Sequence, residues 1–318
     1  MTAEFGLIAR YFTKAAPSAL LGVGDDCALI EAATSIATSM DMLVEGTHFS
    51  RRDDPLLLGR KALSVNLSDL AAMGAKPRWA LLALALPEAD ENWLSQFSQG
   101  FFEVAERHGV DLVGGDTTRG PLTICIQVMG EVDAGRALRR DGAAAGEDIW
   151  VSGELGDAAL GLAHVRGEVV LDGDDVPSCL QALHNPAPRV DLGLALGGIS
   201  RCAIDISDGF CADLSHVLER SQVSAVVDYA ALPASKALEK YRQTPIGQQA
   251  ILSGGDDYEL CFTASPAKRD EIEALQMPLG IRLTRVGSIG EGEGLTVLDA
   301  RGGRMQVTRA GYEHFSQT

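Results

Sequence analysis

The stretch Ser39-Met40-Asp41-Met42-Leu43-Val44-Glu45-Gly46-Thr47-His48-Phe49 decides how the chain is read. Ahead of it, Thr34 to Met40 predicts a strand whose end carries the carboxylate of Asp41, followed by a glycine turn and His48. Carboxylates at strand ends beside loops are where proteins of mixed helix and sheet place their sites. Twice more a predicted strand ends on aspartate with glycine adjacent. Val110 to Val113 leads into Gly114-Gly115-Asp116, and Cys202 to Ile206 leads into Asp205-Ile206-Ser207-Asp208-Gly209. The expectation is that these acids converge on metal ions that hold nucleotide phosphates.

The bulk of the sequence narrows the classes. At 318 residues, with 46% hydrophobic and 22% charged residues, the chain reads as a globular protein of two ordinary domains. The longest apolar run, Trp79 to Leu86, stops at Pro87 and is too short to cross a bilayer. The start of the chain, with Glu4 and Arg10 in a helix-like pattern, does not read as a signal peptide. Six scattered cysteines without a C-x-x-C pair predict reduced thiols in cytoplasm. A net charge of −17 argues against a nucleic-acid partner. It suits phosphorylated substrates only if divalent cations stand between protein acid and phosphate.

Outward from the opening stretch, Glu4 to Phe12 predicts a short amphipathic helix. Gly22-Val23-Gly24-Asp25-Asp26-Cys27-Ala28 predicts a tight turn; Asp25 reads equally as a polar turn residue or a functional one, and Asp26 as a metal ligand. No G-K-S or G-K-T of a Walker A loop occurs. Asp54-Pro55 marks a helix start, and the helix runs to Met73 before Gly74. Its apolar second half carries Asn66 and Asp69 one turn apart, able to face one site. Asp69 is either neutralised by Arg60 or Lys61 or is a metal ligand. Asn92 to His108 predicts a helix closed by Gly109, and Leu122 to Val132 a strand. Arg136, Arg139 and Arg140 form either an exposed linker face or a triphosphate clamp; the domain boundary falls here, giving 1–140 and 141–318. Asp172 to Asp175 reads as a solvated turn, and Asp205 and Asp208 flank the start of a helix Phe210 to Arg220, whose N–H groups attract anions. Asp208 or Ser207 is the expected cap there.

If Asp26, Asp41, Asp69, Asp116, Asp205 and Asp208 converge, each pair at 4 Å repels by roughly 4 kcal/mol at an effective dielectric near 20. Cations are then required, and an all-oxygen set selects Mg²⁺ first. No Ser-His-Asp or Cys-His set is evident. An acceptor that is itself a phosphate needs no general base, because its oxygen is already anionic near neutral pH.

Six motifs in order resemble the thiamine-monophosphate kinase family: Gly24-Asp25-Asp26-Cys27-Ala28, Asp41 to Phe49, Asn66-Leu67-Ser68-Asp69 through Gly74, Gly114-Gly115-Asp116-Thr117-Thr118, Asp205 to Gly209, and Gly254-Gly255-Asp256-Asp257-Tyr258-Glu259-Leu260. The resemblance implies an α+β, two-domain fold of the aminoimidazole ribonucleotide synthetase type. In it the N-terminal domain, residues 1–140, binds metal and ATP and pairs in a homodimer, and a C-terminal α/β sandwich domain, 141–318, completes the site. It implies direct transfer of the ATP γ-phosphate onto thiamine monophosphate, with several Mg²⁺ ions per site. It implies Asp26, Ser39, Met40, Asp41, Asp69, Asp116, Asp205 and Asp208 as metal ligands. Gly115, Asp116, Arg140 and Ser207 are implied as ATP contacts, and His48, Asp256 and Tyr312 as substrate contacts. No catalytic residue beyond the ligands is implied, and no membrane or nucleic-acid partner. Two positions depart from the family pattern. Met40 stands where threonine is usual, so ligation there would use backbone oxygen. Asp256 stands where glutamate is usual, one methylene shorter. The alternatives are a synthetase of the same superfamily that activates an amide or a selenium donor, and a non-catalytic nucleotide or metal sensor.

Overall fold

The structure is a computed structural model and describes residues 7–19, 30–307 and 311–312. The chain divides into two compact units, one of Met1–Leu70 with Ala75–Gly135, the other of Ala71–Gly74 with Arg136–Thr318. Asp25 and Asp26 lie outside the described residues. Of the expected N-terminal helix, Ile8–Phe12 is described, and it forms a π-helical turn.

The first unit is built on a four-stranded sheet, order β1-β4-β2-β3, from β1 (Ser35–Val44), β2 (Lys76–Leu86), β3 (Asp111–Arg119) and β4 (Thr123–Val132). β4 runs antiparallel to both neighbours, and β2 and β3 are parallel. Alternation along β2 and β4 buries Leu82, Leu84, Ile124, Ile126 and Val128 on one face. Two helices complete the core, α1 (Pro55–Ala72) and α2 (Glu91–His108). The helix signals in the sequence act as expected. The Asp54 carboxylate accepts from Leu56 N at 2.8 Å ahead of Pro55, and Gly74 and Gly109 end their helices with φ of +63° and +65°. The helices meet backbone to backbone. A Cβ on Gly59 would lie 2.1 Å from Phe97 O, and one on Gly100 would lie 1.9 Å from Leu56 O.

The second unit carries a six-stranded sheet, order β10-β7-β9-β5-β8-β6. Its strands are β5 (Asp148–Ser152), β6 (Cys202–Asp205), β7 (Ser224–Asp228), β8 (Leu260–Ala264), β9 (Leu283–Gly290) and β10 (Gly294–Leu298). The helices are α3 (Asp157–Val165), α4 (Val176–His184), α5 (Val190–Leu196), α6 (Phe210–Ser221), α7 (Lys236–Glu239), α8 (Pro245–Ser253) and α9 (Arg269–Leu279). One core cluster joins Ile149, Val151, Ile204, Ala225 and Val227 of the sheet to Leu160, Phe210, Leu214, Val217 and Ile251 of α3, α6 and α8. On the strand positions between, Trp150 stacks on Phe262 at 6.4 Å. The neighbouring Asp148 takes two hydrogen bonds, of 2.6 and 2.8 Å, from Arg269 of α9. The turn expected over Asp172 to Asp175 forms, but Asp175 is buried rather than solvated and pairs with Lys240 at 2.7 Å.

Candidate active site

In the first unit the acids belong to the sheet more than to its loops. Asp41 lies inside β1, because Met42, Leu43 and Val44 go on pairing with Cys125, Ile124 and Thr123; the expected strand end at Asp41 is corrected. Ser39, Asp41 and Leu43 share the face toward α1, and Met40 and Met42 point the other way, 61% and 53% exposed. Two side-chain links tie β1 to α1. Ser39 Oγ donates to Asp69 Oδ2 at 2.6 Å, and Asp41 N donates to Asn66 Oδ1 at 3.0 Å. Asn66 also donates from Nδ2 to Ala62 O, so it and Asp69 both face β1, and Asn66 serves there as a brace for the backbone. Arg60 is ruled out as the neutraliser of Asp69, because its guanidinium is taken by Glu103 at 2.6 Å.

Gly114 to Arg119, expected as a loop after a strand, is itself part of β3. The register slips there, so that Ala80 pairs with Leu112 and Leu81 with Gly114, leaving Val113 between. Gly115 has φ +148°, and a Cβ on it would lie 1.8 Å from Leu82 O. Only glycine passes there, and the next residue, Asp116, is exposed on the edge strand. At the far end of β1, Val44 N donates to His48 Nδ1 at 3.0 Å. That bond puts the neutral ring's proton on Nε2.

The second unit gathers Asp205, Ser207, Asp208, Asp256 and Tyr312 by backbone bonds. Ile206 N donates to Glu259 O, Tyr258 N to Ile206 O, Asp256 N to Ser207 O and Tyr312 N to Asp208 O, all between 2.8 and 2.9 Å. Gly209 fits this lattice at φ +124° because a Cβ would lie 2.7 Å from Ser253 C. The expected anion-attracting amides at the start of α6 are already engaged. Ser207 N, Asp208 N and Gly209 N donate to a single oxygen of Asp213, at 3.1, 3.1 and 3.0 Å. Asp213 is buried, and desolvation with the nearby Asp208 charge pushes its carboxyl up to about 7 against the pull of the three N–H groups. Neither Ser207 nor Asp208 is the cap of α6; Gly209 occupies that place. Of the three linker arginines, Arg136 donates to Gly197 O and Arg139 to Asp141. The Arg140 side chain is exposed and has no partner among the described residues.

Among the described residues, no three His, Cys, Asp or Glu side chains come close enough to hold a metal between them. The donors come as one or two carboxylates with a hydroxyl beside them, as at Ser39 and Asp69. That supply fits Mg²⁺, which retains water and is held by one or two carboxylates together with substrate phosphates.

Comparison with known proteins adds the family. Residues 24–132 match the AIR synthase related protein, N-terminal domain. The chain is 45% identical to the thiamine-monophosphate kinase of Haemophilus influenzae, over 99% of this chain and 98% of that protein. It is 43% identical to the Escherichia coli K12 enzyme, over 98% of each. This chain belongs to the thiamine-monophosphate kinase family. The Stenotrophomonas maltophilia thiamine-monophosphate kinase superposes with TM-score 0.84 at 45% identity, covering 92% of this chain and 94% of that one. AaThiL complexed with AMPPCP and TMP superposes with TM-score 0.78 at 33% identity, covering 92% of each. The hydrogenase maturation protein HypE of E. coli, at 22% identity and TM-score 0.80, shares the fold.

Within the thiamine-monophosphate kinase family fold, Asp213 is the residue that sequence reasoning passed over. Its signal was present: with Phe210, Leu214 and Val217 it shares the apolar side of α6, where an acid must have a polar partner. No helix among the described residues is long and apolar enough to cross a membrane.

Proposed function

We propose that this chain phosphorylates thiamine monophosphate with ATP, giving thiamine diphosphate and ADP, the last step of thiamine diphosphate synthesis. The observation that carries this is the full-length match to thiamine-monophosphate kinases, with the motif acids and their braces in ordered strands and turns. The relative AaThiL binds AMPPCP and TMP, which supports the same two ligands here.

In the first unit, Asp41, Asp69 and Asp116 would hold Mg²⁺, with Ser39 beside Asp69; in the second, Asp205 and Asp208 would do so. Asp26 joins them by motif. Met40 would contribute through its backbone oxygen, since its exposed thioether side chain offers none. Bound there, Mg²⁺ would neutralise the charge of the β- and γ-phosphates. Gly115 lets a phosphate approach the chain closely, and Arg140 offers an exposed guanidinium; with Asp116 and Ser207 they form the ATP contacts. His48, Asp256 and Tyr312 contact thiamine monophosphate.

The attacking group is the phosphate oxygen of thiamine monophosphate. It forms a bond to the γ-phosphorus as the bond from that phosphorus to the bridging β-oxygen breaks, and ADP leaves with the electron pair. The anionic acceptor needs no proton removed. Two copies pair through the outer face of β1, where Ile36, Met40 and Met42 form an exposed apolar stripe. The protein works in the cytoplasm.

The test is a steady-state assay of purified protein with ATP, Mg²⁺ and thiamine monophosphate, with products separated. Stoichiometric ADP and thiamine diphosphate are expected. ADP formation no higher than in a control lacking the acceptor rejects the assignment.

A further inference from the structure

We infer that Tyr258 is a positioning residue that orients the carboxylate of Asp256 for thiamine monophosphate; this rests on the function proposed above. The segment Asp256-Asp257-Tyr258-Glu259 distributes its side chains in alternation. Asp257 turns to α3, where both its oxygens accept from Gly156 N at 2.9 and 3.0 Å. Glu259 turns inward too, accepting from Ser152 Oγ at 2.5 Å and from the Arg189 guanidinium. These two acids hold the segment down. Asp256 and Tyr258 are the residues left for the other side, and there the phenol donates to Asp256 Oδ1 at 3.1 Å.

The backbone singles out the same pair. Among the described residues, three non-glycine residues have positive φ: Gln222 at 55°, Asp256 at 70° and Tyr258 at 50°. Gln222 ends α6 in the left-handed conformation common at helix ends. The other two end no helix. A strained conformation of this kind persists only where the surroundings enforce it, and it clusters at ligand sites. Here the enforcing bonds are Asp256 N to Ser207 O and Tyr258 N to Ile206 O. They set Asp256 against Ser207, one of the proposed ATP contacts. Aspartate turns about only two side-chain torsions, and a phenol fixed on one oxygen removes most of that freedom. The buried ring of Tyr258 keeps the donor in place before substrate arrives, which is how positioning lowers the cost of binding.

The experiment compares wild type, Tyr258→Phe, Asp256→Ala and the double variant by steady-state kinetics with thiamine monophosphate and ATP varied separately. Tyr258→Phe is expected to raise KM for thiamine monophosphate about tenfold, the usual worth of a hydrogen bond to a charged group. It should leave kcat and KM for ATP unchanged and add nothing in the Asp256→Ala background. An unchanged KM for thiamine monophosphate in Tyr258→Phe, parallel loss of kcat and ATP affinity, or a full multiplicative effect on top of Asp256→Ala overturns the inference. If the phenylalanine variant fails to fold, 3-fluorotyrosine at position 258 keeps the ring and acidifies the hydroxyl. The pH profile of KM for thiamine monophosphate must then shift, and an unshifted profile overturns the inference equally. A wild-type protein inert toward thiamine monophosphate sinks the functional reading and this inference with it. An active wild type with an indifferent Tyr258→Phe sinks this inference alone.

Discussion

Replacing Glu259 by Gln cuts the second unit at a buried carboxylate that accepts three hydrogen bonds. Glu259 is 5% exposed. It accepts from Arg189 Nε at 2.6 Å, from Arg189 Nη2 and from Ser152 Oγ at 2.5 Å. The Arg189 charge is held in place by that carboxylate, which opposes the effect of burial and keeps the guanidinium pKa raised. Glutamine keeps the shape and one acceptor oxygen but points an amide N–H₂ at a cation that has no other partner among the described residues. Breaking a buried pair by removing one partner costs about 3–5 kcal/mol, most of it the desolvation of the charge left behind. For a unit of this size each kcal/mol moves the melting midpoint by roughly 2–4 °C, so a fall of about 10 °C is expected. The pair taken out together, Glu259→Leu with Arg189→Leu, leaves no stranded charge and should melt well above the sum of the single losses. Thermal unfolding followed by circular dichroism at neutral pH, on wild type, Glu259→Gln, the two leucine single variants and the double variant, reads both quantities. A Glu259→Gln midpoint within about 2 °C of wild type, or strictly additive single and double losses, would refute the claim that this ion pair anchors the loop.

Gly100→Ala should destabilise the protein by about 1–3 kcal/mol despite the roughly 1 kcal/mol that alanine gains in a helix, because its methyl would lie 1.9 Å from Leu56 O and force α1 and α2 apart; urea unfolding reads it, and a more stable variant contradicts the crossing. Asp148→Asn bears on pH. The hydrogen bond from Arg269 holds the Asp148 carboxyl below the usual carboxylate range, helped by the charges of Arg269 and Arg285. A depressed folded-state value means that the stabilisation is complete above the unfolded-chain value near 3.9 and fades as acid carries the pH below it. The gap in midpoint between wild type and Asp148→Asn should therefore be constant from pH 8 to 6 and close below about pH 4, and a gap that instead widens in acid contradicts the assignment. Asp41→Asn should lower kcat/KM by about 100-fold or more, with Tm little changed and part of the loss recovered at high Mg²⁺; wild-type turnover at low Mg²⁺ removes Asp41 from the ligand set.

The sequence announced residue types better than it announced where pairing stops. Asp54-Pro55, Gly74 and Gly109 were legible because caps and left-handed glycines act locally. The end of β1 was not, because what carries the strand past Asp41 is the pairing of Met42 and Leu43 with Cys125 and Ile124, some 80 residues away in the chain. The same holds for Gly115: its glycine was visible, but the slip of β3 against β2 that requires it depends on Leu82. α4 went unseen because four residues of turn-forming acid and glycine precede it, and the burial of Asp175 depends on Lys240. Gly59 and Gly100 read locally as weak points in their helices, and only the crossing explains them. The candidate site residues were named from acids at the ends of expected strands and from the order of six motifs along the chain. The roles of Asn66, Asp213 and Tyr258 as supports could not be read without knowing which backbone groups they meet.

The turn from Ser207 to Gly209 has its three N–H groups committed to Asp213, while its Ser207 and Asp208 carbonyls are committed to Asp256 and Tyr312. What remains there for a visitor is chiefly the carboxylate of Asp208. A start of helix that elsewhere would welcome bare anions has thus been reversed in polarity. Under the function proposed above, a phosphate would therefore approach this turn with a cation between, since the three amides that could have met it bare are already spent on Asp213.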